Sequence, residues 1–383
     1  MKRVCIIITT RGNYAKMKSV IAAIQESDCL ELQVIVGGGA VLHKYGNILE
    51  SIEANGIHVD RTVHYLIEGE NPTTMAKSAG LAITEFATVF GDLRPDVVVV
   101  IADRYETLSI AMAASYMNIP LAHVEGGEVS GSIDESVRHA VTKLAHLHFP
   151  ATEGAANRIR KMGEDASTVF NVGCTSLDVI RELDLSDLSI VDEAQRKSGL
   201  GPTIDLSDPY IVVIQHPVTT EYEDNLAHIN ETIQAIDRLK MNTIWIWPNM
   251  DAGADGISKG IRMFREKRRP QYVHFFKSLP IEAYAPLLKN ARCIVGNSSS
   301  GIRESAFLGV PSVNIGTRQQ GRERGRNVID VAYDAEEIAQ AVVKQVERGT
   351  YEPDFLYGNG EAGKKIVSIM ERYEYRLQKS IVY

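Results

Sequence analysis

The stretch "HVEGGEVSGSIDESVRHA" (residues 123–140) gathers four carboxylates, two histidines and an arginine around glycines, directly after the apolar run "IPLA". Such a cluster is a solvated loop, a metal site or acid/base machinery. Ser132 and Glu135 of "SIDE" have the form of a capping box, which gives Glu135 a structural task at a helix start. Asp134 is free of that task and has Arg138 one helical turn on. Glu125 leaves a buried run straight into Gly126-Gly127, where backbone can come close to a ligand. Asp103 ends another apolar run in the same way, beside Arg104. Carboxylates converging from Asp103, Glu125 and Asp134 suit proton transfer at a carbon or oxygen centre.

A metal site is the weaker reading. His146 and His148 of "HLH" fall on one side of a strand, but no carboxylate or cysteine lies at ligand spacing, and His139 is placed for a simple contact with Glu135. No GxSxG elbow supports a serine nucleophile. His216 in "VIQHPVTT" follows a buried run and opens a loop of hydroxyls, so it is either a satisfied core histidine or a charge-stabilising group.

These residues need scaffolding, and the chain supplies it in two series of short β-branched runs separated by helix-length amphipathic stretches. The first series is 4–10, 32–38, 96–103, 119–127, 146–152 and 169–174; the second is 210–217, 242–249, 272–278, 293–300, 311–316 and 327–332. Continuous apolar strands alternating with helices predict parallel sheets covered on both faces. Two series in 383 residues predict two doubly wound, Rossmann-like α/β domains facing a cleft, with 1–175 as the first and 176–359 as the second. In such sheets ligands sit outside the carboxyl ends of the strands, where the polar and glycine residues of this chain concentrate.

The ligand is not a classical dinucleotide. The first turn, "TTRGNYAK", lacks GxGxxG, no Walker A occurs, and no cofactor is expected. "GNSSSGIRESAFLGVP" is more promising. Ser298, Ser299, Ser300 and Gly301 precede a short helix closed by Gly309 and Pro311, and a helix start of this kind suits a phosphate. Glu304, one turn in, could accept hydrogen bonds from ribose hydroxyls, and plain serine capping is the competing account. Arg11, Lys16, Arg104, Arg303, Arg318, Arg322, Arg324 and Arg326 supply cations near strand ends. A formal net charge of −8 argues against a nucleic-acid partner. The opening "MKRVCIIITTRG" has too short an apolar stretch for a signal sequence or membrane span and reads as a first buried strand. Cys5, Cys29, Cys174 and Cys293 show no pairing or ligand spacing, which fits a reducing cytoplasm with the cysteines as core fillers.

At these residues the chain resembles the UDP-N-acetylglucosamine 2-epimerases, and within them the hydrolysing branch that starts sialic acid synthesis. The strings "RGNYAK", "ADRYE", "HVEGGEVSGSIDESVRHAVTKLAH", "QHPVTTE", "WPNMDAG" and "GNSSSGIRE…GVPSVNIGTRQQGRERG" carry the likeness along nearly the whole chain. The resemblance implies a glycosyltransferase-B-like fold, a last helix at about 360–378 returning to the first domain, and a homodimer or homotetramer. It implies UDP-N-acetylglucosamine as substrate and UDP as product, with no metal. It points to Asp103, Glu125, Asp134 and His216 as the acid/base set, and to Arg11, Lys16, Arg104, Asn249, Ser298, Ser299, Glu304 and Arg318 as the groups holding uridine diphosphate. One departure is the first turn, where relatives often carry Ala and an acid and this chain has Gly12-Asn13. Relatives acting on bacillosamine-type sugars carry His-Gly-Gly and His-Pro-Glu-Thr, whereas Glu125 and "HPVTT" here favour N-acetylglucosamine.

Overall fold

The β-branched runs pair in parallel throughout both sheets, as strands buried on two faces do. The first sheet contains β1 (Lys2–Ile8), β2 (Leu30–Gly37), β3 (Arg61–Val63), β4 (Val97–Ile101), β5 (Leu121–Val124) and β6 (Leu147–Phe149), in the order β3-β2-β1-β4-β5-β6. The second contains β7 (Tyr210–Ile214), β8 (Asn242–Ile246), β9 (Val273–Phe276), β10 (Cys293–Gly296), β11 (Ser312–Ile315) and β12 (Val328–Val331), in the order β12-β11-β10-β7-β8-β9. Each sheet therefore reverses direction once, between β1 and β4 in one and between β7 and β10 in the other. Those reversals are where doubly wound sheets open a crevice for ligands.

The computed structural model describes residues 1–42, 48–69, 72–130, 134–248 and 253–382. It separates into two units: Met1–Val129, Ile133–Val179 and Gly358–Tyr383 in one, and Ser130–Ser132 with Ile180–Tyr357 in the other. In the first unit, one sheet face carries Val4, Ile6, Ile8, Val34, Val36, Val97 and Val99 against helix Arg11–Gln25, and the other carries Cys5, Ile7, Ile35, Val98 and Val100 against Phe86 and Phe90. In the second unit, Trp245 packs with Phe264 and Phe275, together with Ile211, Val213 and Val295. Among the described residues, no helix is long and apolar enough to cross a membrane.

The expected strand at 169–174 does not form. Only a single bridge joins Val169 to His148, although Phe170 N–H still donates to the His148 carbonyl at 2.9 Å. Pro150 follows β6 and has no N–H to donate back, so the ladder loses a bond there, although the Pro150 carbonyl still accepts from Val172 N–H at 3.2 Å. β3 escaped the sequence reading because its three residues, Arg-Thr-Val, carry no apolar run.

Helix Ala362–Arg372 completes the first unit's core with Ala362, Ile366, Val367 and Met370. Asp178 starts it, accepting from the N–H groups of Ala362 at 2.9 Å and Gly363 at 2.6 Å, which suits a carboxylate at a helix N-terminus. A Cβ on Gly363 would lie 2.7 Å from the Ser19 backbone, so the two helices meet at contact that glycine alone permits. Beyond the helix, Lys379 reaches Glu164 at 2.7 Å and His146 Nε2 lies 3.1 Å from the Leu377 carbonyl.

Glu164 is 4% exposed. Burial alone pushes its carboxyl up, but hydrogen bonds from His148, Lys143 and Lys379 more than reverse this and hold it at about 2. The folded pKa lies below the unfolded one of about 4.3, so the stabilisation is present above about pH 4.3 and disappears as pH falls toward 2. Glu164→Gln should therefore cost on the order of 2 kcal/mol at neutral pH. Urea unfolding of wild type and variant at stepped pH should show the difference closing through that acid window. A difference independent of pH would mean that packing, not charge, carries it.

Candidate active site

In the first unit, Ile101 of β4 and Val124 of β5 are paired in register, so the residues that follow them emerge side by side. Both are in the left-handed region: Ala102 at φ 62° and Glu125 at φ 60°. Non-glycine residues adopt this conformation at a cost of roughly 1 kcal/mol, and such strain concentrates where function requires it. Ladder bonds nevertheless hold both, Ala102 N–H to the Val124 carbonyl at 3.0 Å and Glu125 N–H to the Phe149 carbonyl at 2.9 Å. The Glu125 side chain is 1% exposed, with Lys16 Nζ 2.6 Å from Oε2 and the Cys174 thiol donating to Oε1 at 3.1 Å. Asp103, just after Ala102, pairs with the guanidinium of Arg138, whose other nitrogen donates to the Glu128 carbonyl at 2.7 Å. Arg138 is itself 1% exposed on helix Asp134–Leu144, so it holds Asp103 from a rigid base. Asp134 is the first residue of that helix. Helix Arg11–Gln25 begins at Arg11, capped by Thr10, whose hydroxyl accepts from Asn13 N–H at 3.1 Å. Asn13 also takes a 2.7 Å hydrogen bond from the Thr9 hydroxyl, which gives this departure from the family's usual acid a structural use.

In the second unit, β7 and β10 end together. Gly296 turns at φ 129°, and a Cβ there would lie 2.0 Å from the Ile214 carbonyl oxygen, so β10 can leave the sheet this close to β7 only as glycine. The next residue, Asn297, is fully buried and clasps His216 by two hydrogen bonds, accepting from its N–H at 2.6 Å and donating to its carbonyl at 2.8 Å. The Asn297 carbonyl in turn receives Arg318 Nη1 at 3.2 Å and Gln319 Nε2 at 2.8 Å. Ser298, Ser299, Arg318 and His216 are thus organised about one buried asparagine. The helix after the serines starts only at Glu304 and runs to Leu308, with a 3-10 turn at Ser299–Gly301 before it. The N–H groups of Ser300, Gly301, Ile302 and Arg303 already donate within that turn. The serines thus lead into a turn whose own N–H groups are used rather than into an open helix end. Ser300 bonds the hydroxyl of half-buried Tyr284 at 2.6 Å, and Gly309 closes the short helix at φ 69°.

Residues 22–371 match the UDP-N-acetylglucosamine 2-epimerase family. The chain belongs to that family. It is 32% identical over 361 residues to a UDP-N-acetylglucosamine 2-epimerase of Neisseria meningitidis serogroup B, covering 94% of this chain and 92% of that protein. It is 31% identical to a hydrolysing UDP-N,N'-diacetylbacillosamine 2-epimerase of Legionella pneumophila, over 97% of this chain and 96% of that one. Among solved structures, a Neisseria meningitidis UDP-GlcNAc 2-epimerase bound to UDP-GlcNAc superposes with a TM-score of 0.81, covering 97% of this chain and 100% of that one at 18% identity. That likeness shows the fold: two Rossmann-like units of the glycosyltransferase-B-like class.

In this epimerase-family chain, the first unit brings together Lys16, Glu125 and, through Arg138, Asp103; the second brings together His216, Ser298 and Arg318. Asn249, and Ser132 of the expected capping box, lie outside the described residues. Glu135 lies 3.6 Å from His139, the simple contact expected for that pair. Asp103 was read beside Arg104, but the guanidinium on it comes from Arg138, 35 residues on, and Arg104 reaches Glu106 at 2.9 Å. The cysteines are not all core fillers: Cys29 is exposed, and Cys174 bonds Glu125. The "HLH" histidines are used structurally, His148 against Glu164 at 3.2 Å and His146 against the Leu121 N–H at 3.2 Å. Among the described residues, no group of three or more His, Cys, Asp or Glu could hold a metal ion. Sequence reasoning passed over Asn297 and read Cys174 only as a core filler. Asn297 follows a buried strand directly, and that position was a usable signal.

Proposed function

We propose that this epimerase hydrolyses UDP-N-acetylglucosamine to N-acetylmannosamine and UDP. One observation carries the reading: two carboxylates, Asp103 and Glu125, leave adjacent strands through strained backbone, each facing a cation of its own. Evolution pays for such strain at groups that must point one way. The C2 proton of the sugar is not acidic, so its removal needs departure at C1. Anti elimination takes the C2 proton onto a carboxylate while the C1–O bond breaks and UDP leaves with the electron pair. This yields a 2-acetamidoglucal. Water then adds at C1, giving up a proton, and C2 is protonated from the opposite face, which inverts it. Asp103, Glu125 and Asp134 serve the proton transfers. His216 and Arg318, with Arg11, Lys16 and Arg104, counter charge growing on the diphosphate. Ser298 and Ser299 bind phosphate oxygens and Glu304 the ribose.

A second reading draws on the Legionella relative, named for a diacetylbacillosamine substrate. Glu125 and Val218-Thr219 in "HPVTT" support the N-acetylglucosamine reading instead. Incubation with UDP-N-acetylglucosamine in deuterated water, without added metal or acceptor, should release UDP and N-acetylmannosamine carrying deuterium at C2. UDP-N-acetylmannosamine as product would make the chain a non-hydrolysing epimerase. Turnover only of UDP-diacetylbacillosamine would move it to the second reading, and unlabelled product would defeat the elimination route.

A further inference from the structure

We propose that His123 is a positioning residue that locks together the two backbone turns presenting Asp103 and Glu125. The inference rests on the reading of those carboxylates as proton-transfer groups. His123 lies in β5, two residues before Glu125, and is fully buried. Its Nε2 is 2.9 Å from the Ala102 carbonyl and its Nδ1 is 3.2 Å from the Thr142 hydroxyl. Burial pushes the imidazole down to about 4, so near neutral pH it carries a single N–H. A carbonyl can only accept, which places the proton on Nε2 and leaves Nδ1 to accept from Thr142.

The consequence falls on both turns. The Ala102 carbonyl belongs to the peptide that leads into Asp103, and Ala102, like Glu125, is held in the left-handed region. On the other side, a Cβ on Gly126 would lie 2.7 Å from Nδ1 of the same ring and 3.0 Å from the Thr142 hydroxyl. The chain leaving Glu125 therefore runs directly over the imidazole. One neutral ring thus fixes a carbonyl in the first turn and forms the floor of the second. The other deeply buried histidines differ: Nδ1 of His148 and Nε2 of His274 meet no partner atom, whereas both nitrogens of His123 are used. Strained backbone persists only where its surroundings over-determine it, and His123 is the side chain placed to do so for both turns.

The test compares His123→Leu, His123→Gln and Thr142→Val, each with a melting curve and with kcat and KM on the nucleotide sugar that wild type turns over. His123→Leu should lower kcat about a hundredfold per folded molecule with KM within about threefold, because misplaced catalytic groups slow the chemistry more than they weaken binding. His123→Gln keeps a donor toward Ala102 and should recover kcat to within about tenfold of wild type. Thr142→Val leaves the ring unanchored at Nδ1 and should lower kcat about tenfold, which decides the matter if the leucine variant does not fold. A folded leucine variant with near-normal kcat, a glutamine variant as slow as leucine, or a valine variant of unchanged kcat would overturn the proposal. An inactive wild type defeats the functional reading instead. In that case the imidazole 15N shifts of wild type between about pH 6 and 8 still decide: a neutral ring protonated at Nε2 is expected, and a charged ring or an Nδ1–H tautomer overturns the bridge.

Discussion

In the Glu125→Gln variant, kcat should fall about a thousandfold or more while KM stays within about fivefold of wild type. The substitution preserves side-chain volume at a position 1% exposed, so the loss reports charge and proton transfer rather than a cavity. Lys16 and Cys174 fix the carboxylate from two sides, and both lose their anionic partner together. Lys16 is about one-quarter exposed and can turn toward water, so the stability cost should be modest, about 1–2 kcal/mol. Glu125→Asp retains the charge but withdraws it by one methylene from Lys16, and it too should lose most of its turnover. Rates normalised to the folded fraction check this. A glutamine variant within tenfold of wild type would take Glu125 out of the proton-transfer set.

His216→Ala should cost roughly a hundredfold in kcat, comparable to removing one oxyanion donor, and change UDP affinity only a few-fold. The geometry makes this variant unusually readable. Asn297 grips the backbone of His216, not its ring, so the ring can be removed while the loop stays clasped. The neighbouring substitution should look different. Asn297→Ala leaves a buried N–H and carbonyl without partners, each worth about 1–3 kcal/mol. It should lower the melting temperature and weaken UDP binding along with turnover. If His216→Ala instead lowers the melting temperature and leaves kcat intact, the residue is a packing histidine. Calorimetric UDP titrations of both variants separate these outcomes.

Residues that follow a buried strand could be read from sequence because the chain announces them locally. Val97–Ile101 and Leu121–Val124 are apolar runs, and whatever comes next must lie at a sheet edge. The same logic located His216 after β7 and the serines after β10. Partners joined through space gave no such signal. Arg138 was read by its helical spacing to Asp134, and nothing in that spacing points to Asp103. Cys174 was hidden by its context, since "VFNVGC" has the composition of a strand and a strand's cysteine reads as filler. The sequence pattern cannot register that Pro150 offers this segment no N–H, nor that Cys174 at its end meets Glu125. Backbone strain at Ala102 and Glu125 was equally silent, because neither residue type advertises a left-handed conformation.

The helix Ala362–Arg372 has a consequence for how the protein is made. Its apolar residues Ala362, Ile366, Val367 and Met370 belong to the same core as Val4, Ile6 and Val20. The ribosome delivers β1 first, yet the core around β1 stays open until all of Ile180–Tyr357 has been synthesised. The later segment is continuous in the chain and can close its own sheet as soon as it emerges. The N-terminal unit is thus begun first and finished last. Throughout that interval the nascent chain displays the apolar face of helix Arg11–Gln25 near Ser19, the face that Gly363 will later cover. A ribosome stalled between residues 180 and 357 would hold a sheet whose six strands are all made but whose core still lacks its last helix, which makes this stretch of translation the period when the chain most depends on chaperones.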